Sequence, residues 1–357
     1  MSEQQLKVLL MADAGTFHAA RFAVELKRQG CRVLTVSMEP GGLGHFRLKR
    51  IGPFKSLHYS LACRQVKRII KRFQPDLINP HFASGYGFMA ALAARGKTPI
   101  ALNLWGSDIL IVPQKSALHR RKTSYALKKA AHVIGDSVYL VDAARKLAPV
   151  QHGSVIPWGI EQDYLRLHRT DYELSKPLRV IVPRAHDDVY NNLFIVEALA
   201  DLIRDGRIVI TFPGFGRLLE DFRRHADELV GDNIRYYEKL PRPEFLKMVS
   251  TNDVYLSAAS SDSSPVTLIE AMALGLIPVA AEIDGVKEWL SPSSGFLYPP
   301  GDRGSLNRII AGLTESANDY AAMRRANLDR VKSEALFEKN VAEQIAIMKQ
   351  LAWGKSV

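Results

Sequence analysis

Asp262 and Glu270 stand eight positions apart in DVYLSAASSDSSPVTLIEAMALGLIPVAAEIDGVKEWL, residues 253–290. Between them runs a Ser-rich loop into VTLIEAMALG, a helix by its spacing. Val266, Ile269, Ala273 and Leu274 share one face of that helix, and Glu270 falls on the same face. A carboxylate there is costly unless something hydrogen-bonds it. Pro265 suits a first helical position, with Ser264 as its N-cap. Such a helix start offers unpaired N–H groups and positive dipole to a phosphate. Carboxylates repel phosphates but accept hydrogen bonds from hydroxyls. The pattern therefore suits a diphosphate flanked by sugar hydroxyls, as in a nucleotide sugar. A plain alternative makes Glu270 a solvated helix residue and Asp262 a turn former, and spacing alone leaves both open.

The elements that must position these residues alternate along the chain. DVYLSAA reads as a buried strand, Gly275 closes the helix, and IPVAA is the next strand. At the start, LKVLLMA (6–12), AARFAVELKRQG and CRVLTVS form a βαβ opening, the mark of a parallel doubly wound sheet. The first loop holds Gly15 and His18 but no G-x-G-x-x-G, so no dinucleotide fingerprint is present. His18 could start the helix or meet a ligand. DLINPHFASGYG puts His81 and Gly85 in a loop, and Phe82 stands where a hydrolase elbow needs glycine. TPIALNLWGSDIL ends in Trp105-Gly106-Ser107-Asp108, where Asp108 is a helix N-cap or, in the favoured reading, an acceptor contact. LRVIVPRAH is a strand reaching Arg184, and RIVITFPGFG leads into a Gly214-x-Gly216 turn.

A chain of 357 residues with 47 % hydrophobic content supports two domains. No apolar run approaches the ~20 residues of a membrane span, and no leader peptide is visible. Cys31 and Cys63 make no disulfide framework and fit a reducing cytosol. Residues 1–157 carry 24 Lys and Arg against 8 Asp and Glu; the remainder carries 24 against 29. The first half therefore suits an anionic surface. From Gly41 to Pro75 there is no acid, while Arg47, Lys49, Arg50, Lys55, Arg64, Lys67, Arg68, Lys71 and Arg72 mix with Phe46, Phe54, Tyr59 and Phe73. Ile109 to Gly135 is likewise acid-free and holds Lys115, Arg120, Arg121, Lys122, Lys128 and Lys129. An anionic membrane surface, a nucleic acid and a merely solvated helix face all fit one such stretch, and two weaken the last. Zinc-type histidine spacing, a Walker A loop and a Cys/His nucleophile pair are absent.

Asp262, Pro265, Glu270-Ala271-Met272-Ala273, Gly275, Pro278-Val279, Gly285 and Glu288 resemble the donor-site signature of glycosyltransferase family 4, retaining enzymes of GT-B architecture. The resemblance is strong over 253–301, fair over 100–160 and weak over 40–75. It implies an α/β fold of two facing Rossmann-like domains with an interdomain cleft. Residues 1–157 would form the acceptor-binding domain, 158–176 the linker after the hinge run SVIPWGIEQDYL, and 177–335 the nucleotide-sugar domain. Residues 336–357 would be a helix returning to the first domain. By the same resemblance, Glu270 holds ribose hydroxyls and Asp262, in place of the usual Glu, the donor sugar. Arg184 and the backbone at Ser264, Val266 and Thr267 meet the diphosphate, Gly15 and Thr16 lie near it, and Lys239 and Leu240 meet the base. His18, His81 and Trp105, the last replacing a histidine of an H-G-S-D-type loop, fall on the acceptor side with Asp108. The family's Lys five residues beyond the Arg is Val189 here, so His186 or another basic group would share the phosphate charge.

The expected activity is retaining transfer from a nucleotide-diphosphate sugar to a lipid-linked, envelope or exopolysaccharide glycan. The leaving phosphate takes the acceptor proton, with no protein nucleophile, metal or cofactor expected. The expected setting is cytoplasmic, peripheral on the inner face of the cytoplasmic membrane, with no nucleic-acid partner. An epimerase or hydrolase of the same fold and a basic nucleic-acid-binding protein are the alternatives.

Overall fold

The computed structural model describes residues 4–41, 45–50 and 55–354, so Phe54 lies outside the described residues. Two compact units result: Met1–Pro157 with Glu338–Val357, and Trp158–Phe337.

In the first unit, short apolar strands alternate with helices: β1 (Lys7–Met11), α1 (Phe17–Arg28), β2 (Arg32–Ser37), β3 (Phe46–Arg47), α2 (Lys55–Phe73) and β4 (Leu77–Pro80). A π-helical turn at Phe82–Gly87 leads into α3 (Phe88–Ala94), followed by β5 (Ala101–Asn103), α4 (Ser107–Leu110), α5 (Ala117–Lys129), β6 (His132–Gly135), α6 (Val138–Leu147) and β7 (Gly153–Val155). All pairings are parallel, in the orders β3-β2-β1-β4 and β5-β6-β7. Single parallel bridges at Ile78–Ile100 and His81–Asn103 join β4 to β5. Val8 to Met11 of β1 are all fully buried, as a strand covered on both faces requires. Strand order reverses between β1 and β4, so the loops after these two strands, 12–16 and 81–87, open at the switch point of the sheet.

The second unit repeats the scheme with β8 (Leu178–Ile181), α7 (Asn192–Arg204), β9 (Ile208–Pro213), α8 (Leu219–Val230), β10 (Ile234–Tyr237), α9 (Arg242–Ser250) and β11 (Val254–Ser257). It continues through α10 (Val266–Leu274), β12 (Ile277–Ala281), α11 (Asp284–Lys287), β13 (Phe296–Tyr298), α12 (Arg303–Glu315) and α13 (Ala321–Glu334). The six strands are parallel in the order β10-β9-β8-β11-β12-β13, the dinucleotide-fold order, with its switch point between β8 and β11. α7 and α12 pack one face of this sheet, and α9, α10 and α13 the other.

Residues 158–176, read from sequence as a linker, are instead part of the second unit. Ile160 is fully buried and its N–H donates to Ala335 O at 3.0 Å, while Arg169 pairs with the buried Asp253 at 2.7 Å. Buried apolar area and a shielded ion pair outweigh the segment's polar composition. The last helix, α14 (Phe337–Trp353), rejoins the first unit. There Asn103 Nδ2 donates to Gln344 Oε1 at 2.8 Å and Asn340 Nδ2 to Pro157 O at 2.8 Å.

Candidate active site

The β8–β11 switch point is where an open parallel sheet takes its ligands, and two sequence-selected residues meet there. Arg184 follows β8 and Asp262 follows β11; Arg184 Nη2 donates to Asp262 Oδ2. Arg184 Nη1 also reaches Thr267 Oγ1 at 3.2 Å, and Tyr255 Oη lies 3.2 Å from the same hydroxyl. The guanidinium carbon sits over the Tyr190 ring, 4.3 Å from its centroid, a cation–π contact that helps to orient it. Burial alone would draw the Arg184 pKa down, but Asp262, with Tyr190 and Tyr255, more than offsets it and holds the group above its usual range. With side-chain exposures of 13 % and 15 %, the pair is shielded yet reachable.

The loop that presents Asp262 is held from below. A Cβ on Gly285 would fall 2.2 Å from Ser263 O and 2.4 Å from Asp262 O, so only glycine permits this approach. Ser264 Oγ accepts from Trp289 Nε1 at 3.0 Å, which corrects its reading as an N-cap. Pro265 is itself the N-cap, its carbonyl accepting from Leu268 and Ile269, and α10 begins at Val266. The preceding amides, Val266 and Thr267, fall outside the intrahelical ladder beside Arg184, where positive dipole and donors suit an anion.

Glu270 lies one turn further on and is buried. Its Oε1 accepts from Arg242 Nη1 at 2.6 Å, and Arg242 Nη2 also donates to Glu161 Oε2 at 2.6 Å. Burial acts to lower Arg242, but Glu270 and Glu161 more than offset it and leave the pKa raised. Tyr237, at the end of β10, is pushed up by burial and by the Glu270 charge. Arg242 and Glu161 escaped the sequence reading. Neither has a local spacing signal, and only Arg242's place directly after Pro241 at a helix start marks it. Lys239 and Leu240 lie in the turn just before, Lys239 exposed and Leu240 packed beside α10.

His186 does not supply the charge missing at Val189. It is buried against Phe212 and Phe222, with Nε2 2.8 Å from Pro213 O and Nδ1 3.2 Å from Asn192 Nδ2. An amide donating to Nδ1 and a carbonyl accepting from Nε2 require the neutral ring. Burial lowers the His186 pKa in the same sense. Val189 instead anchors the β11 loop, its carbonyl accepting from Ser260 N at 2.8 Å.

In the first unit the remaining candidates gather at the carboxyl ends of β1, β4 and β5. Trp105 packs edge-on to His18, ring centroids 6.1 Å apart, and tilted against His81 at 5.8 Å. His81 is buried with Nε2 3.0 Å from Asn79 Oδ1, and burial pushes its pKa down to about 3, so it is a neutral wall. Thr16 caps α1, its Oγ1 accepting from Ala19 N at 3.4 Å and donating to Asp13 O at 2.8 Å. Gly15 N donates to Asp13 Oδ1 at 2.9 Å in the same turn. Asp108 departs most from expectation as an acceptor contact. It is fully buried, and its two oxygens accept from Ala83 N at 2.7 Å and Trp105 N at 2.9 Å. Asp108 thus clasps two loops together. Burial pushes its pKa up to about 6, the N–H bonds offsetting only part of the effect.

Residues 7–137 match the family described as glycosyl transferase 4-like, and residues 168–330 match glycosyl transferases group 1. AmsK, an amylovoran biosynthesis glycosyltransferase of Erwinia amylovora, is 26 % identical over 339 residues, spanning 90 % of this chain and 81 % of that protein. HepE of Anabaena in complex with UDP and glucose has the same fold, with a TM-score of 0.80 at 17 % identity over 96 % of this chain and 99 % of that one. A glycosyltransferase from Rickettsia africae aligns with a TM-score of 0.78 at 17 % identity, over 99 % and 100 % of the two chains. With both domain families matched in order and two parallel α/β units behind them, the chain belongs to the GT-B glycosyltransferases and is a transferase enzyme.

Proposed function

We propose that this protein is a retaining glycosyltransferase that moves a sugar from a nucleotide-diphosphate donor onto an envelope or exopolysaccharide glycan, soluble or lipid-linked. The observation that carries the reading is the Arg184–Asp262 pair beside the first turn of α10, at the switch point of a dinucleotide-fold sheet. A diphosphate entering there takes Arg184 and the Val266 and Thr267 amides as its donors. Asp262, relieved of its partner, turns its carboxylate to donor-sugar hydroxyls. Glu270, oriented by Arg242, is one turn away for the ribose.

In the reaction the bond from the sugar's anomeric carbon to the diphosphate oxygen breaks, and the acceptor oxygen forms its bond on the same face. The acceptor proton passes to the departing phosphate oxygen, and no side chain needs to act as nucleophile. Arg184 and the α10 amides stabilise charge as it develops on the leaving group, the electrostatic term that carries most of such a rate. The UDP in the HepE complex makes uridine donors the first to try, and the amylovoran role of AmsK supports an exopolysaccharide acceptor.

A groove of about 910 Å³ between β3 and α2 supports work at an anionic membrane surface; it is lined by the apolar Leu34, Ile69 and Phe73 and by the basic Lys49, Arg68 and Arg72. No helix among the described residues is long and apolar enough to cross a membrane. A thermal-stabilisation panel of nucleotide sugars, followed by product analysis with added acceptor glycans, tests the reading. A stabilising donor and a glycosylated acceptor are expected. Turnover of the donor with no transfer to any acceptor would favour an epimerase or hydrolase.

A further inference from the structure

A second cavity, of about 550 Å³, opens beside the β1–β4 switch point of the first unit and takes no part in the donor chemistry above. Phe82, Ser84 and Gly85 of the π-helical turn Phe82–Gly87 line it, and such rare wide turns are frequent at functional sites. Phe82 starts this turn at φ 81°, a left-handed conformation strained for an aromatic side chain. Asp108 locks the turn by accepting from Ala83 N. A buried carboxylate is therefore committed to holding a strained loop in one shape, and the shape faces this cavity.

The cavity lining is rich in donors and holds no carboxylate: Tyr59, Ser84, Lys115, His119 and Lys122. They come from α2, the π-helical turn and the segment leading through α5, three elements that border the cavity. Gly85 lets the Tyr59 ring close onto the turn; a Cβ there would lie 3.2 Å from Tyr59 Cε1. Ser116 Oγ is 2.8 Å from His119 Nδ1, and a hydroxyl donating to that nitrogen leaves Nε2 as a donor. Lys122 is partly withdrawn from water and lies 5.5 Å from the Phe88 ring centroid. A planar carboxylate offers its two oxygens in one plane, whereas a phosphate presents oxygens tetrahedrally and can satisfy donors arriving from several sides.

We propose that this cavity binds a phosphate ester carried by the acceptor, so that the transferase takes a phosphorylated rather than a neutral glycan. The proposal rests on the transferase reading above and assigns the substrate class of its acceptor side. A sugar phosphate and a lipid-linked sugar diphosphate share this chemistry.

The test is binding to the full-length chain, followed by calorimetric titration with glucose 1-phosphate, a short-chain isoprenyl diphosphate and, as carboxylate control, glucuronate. The samples are the native protein, Lys115→Gln/Lys122→Gln, the charge-retaining Lys115→Arg/Lys122→Arg, and Arg184→Gln. Phosphate-ester binding should weaken at least about tenfold in the Gln pair, recover in the Arg pair and persist in Arg184→Gln. Whichever ester binds more tightly identifies the source, soluble or lipid-linked. Equal affinity in the native and Gln-pair proteins, no ester binding at all, or glucuronate binding as tightly as the esters would overturn the proposal. UDP binding on the same samples keeps the two readings apart, since loss of nucleotide binding in Arg184→Gln speaks only to the donor site.

Discussion

Glu270 Oε1 lies 2.6 Å from Arg242 Nη1, and the same guanidinium holds Glu161 at 2.6 Å. The three side chains are 4 %, 12 % and 18 % exposed in the order Glu270, Arg242, Glu161. Removing the cation leaves two shielded carboxylates uncompensated, which typically costs about 3–5 kcal/mol. Arg242→Ala should therefore destabilise the second unit by that order in denaturant unfolding. Glu270→Gln, which keeps the shape and one acceptor, should cost much less while weakening nucleotide binding. Equal, small losses in both would mean that the cluster is solvated and holds nothing in place.

Asp108 gives the first unit a pH dependence. Its carboxyl, pushed up to about 6 by burial, holds its proton more tightly folded than unfolded. Such a group adds stability that is complete below its ordinary value of 3.8 and is lost as pH rises through about 6. The loss amounts to roughly 3 kcal/mol. Unfolding free energies of native and Asp108→Asn proteins, compared from about pH 4 to 7, should show the native advantage shrinking with rising pH. A constant difference would mean that Asp108 stays ionised throughout, stabilised by the Ala83 and Trp105 N–H groups.

Much of this arrangement was legible in the sequence because local chemistry dictated it. The run of strand, serine-rich turn, proline and apolar helix over 253–275 could fold in few other ways, and Asp262 and Glu270 follow from that run. Arg184 is marked in the sequence only by its place at the end of a strand, and its role came from the family resemblance. What escaped depends on contacts between distant residues: Glu161 and Arg242, 81 positions apart, leave no periodic trace. His186 misled for the same reason. It is a candidate only because Val189 stands where the family has a Lys, and only the Phe212, Phe222, Pro213 and Asn192 partners reveal a neutral core ring. Asp108 reads as a loop acid from its neighbours, and its buried role as a clasp depends on Ala83, 25 residues away.

The basic end of α2 should recruit the protein to anionic membranes. Lys67, Arg68, Lys71 and Arg72 lie within its last two turns, and Arg68 and Arg72 also line the groove beside β3. Four headgroup contacts at about 1 kcal/mol each suffice for reversible binding. Anionic vesicles should carry the chain upward in flotation, neutral vesicles should not, and Lys67, Arg68, Lys71 and Arg72→Ser should abolish the difference. Equal flotation with both vesicle types, or with neither, would contradict it.

The donor site is tested most directly by what a single β-phosphate adds to binding. Calorimetric titration should compare UDP with UMP, or the corresponding pair for whichever nucleoside diphosphate stabilises the protein best, on the native chain and on Arg184→Gln. The native chain should bind the diphosphate more tightly, by about 1.5–3 kcal/mol for a charge-assisted contact. Arg184→Gln should lose most of that difference and leave monophosphate affinity unchanged. A diphosphate preference that survives intact in Arg184→Gln would contradict the assignment of the Arg184–Asp262 pair to the donor phosphates.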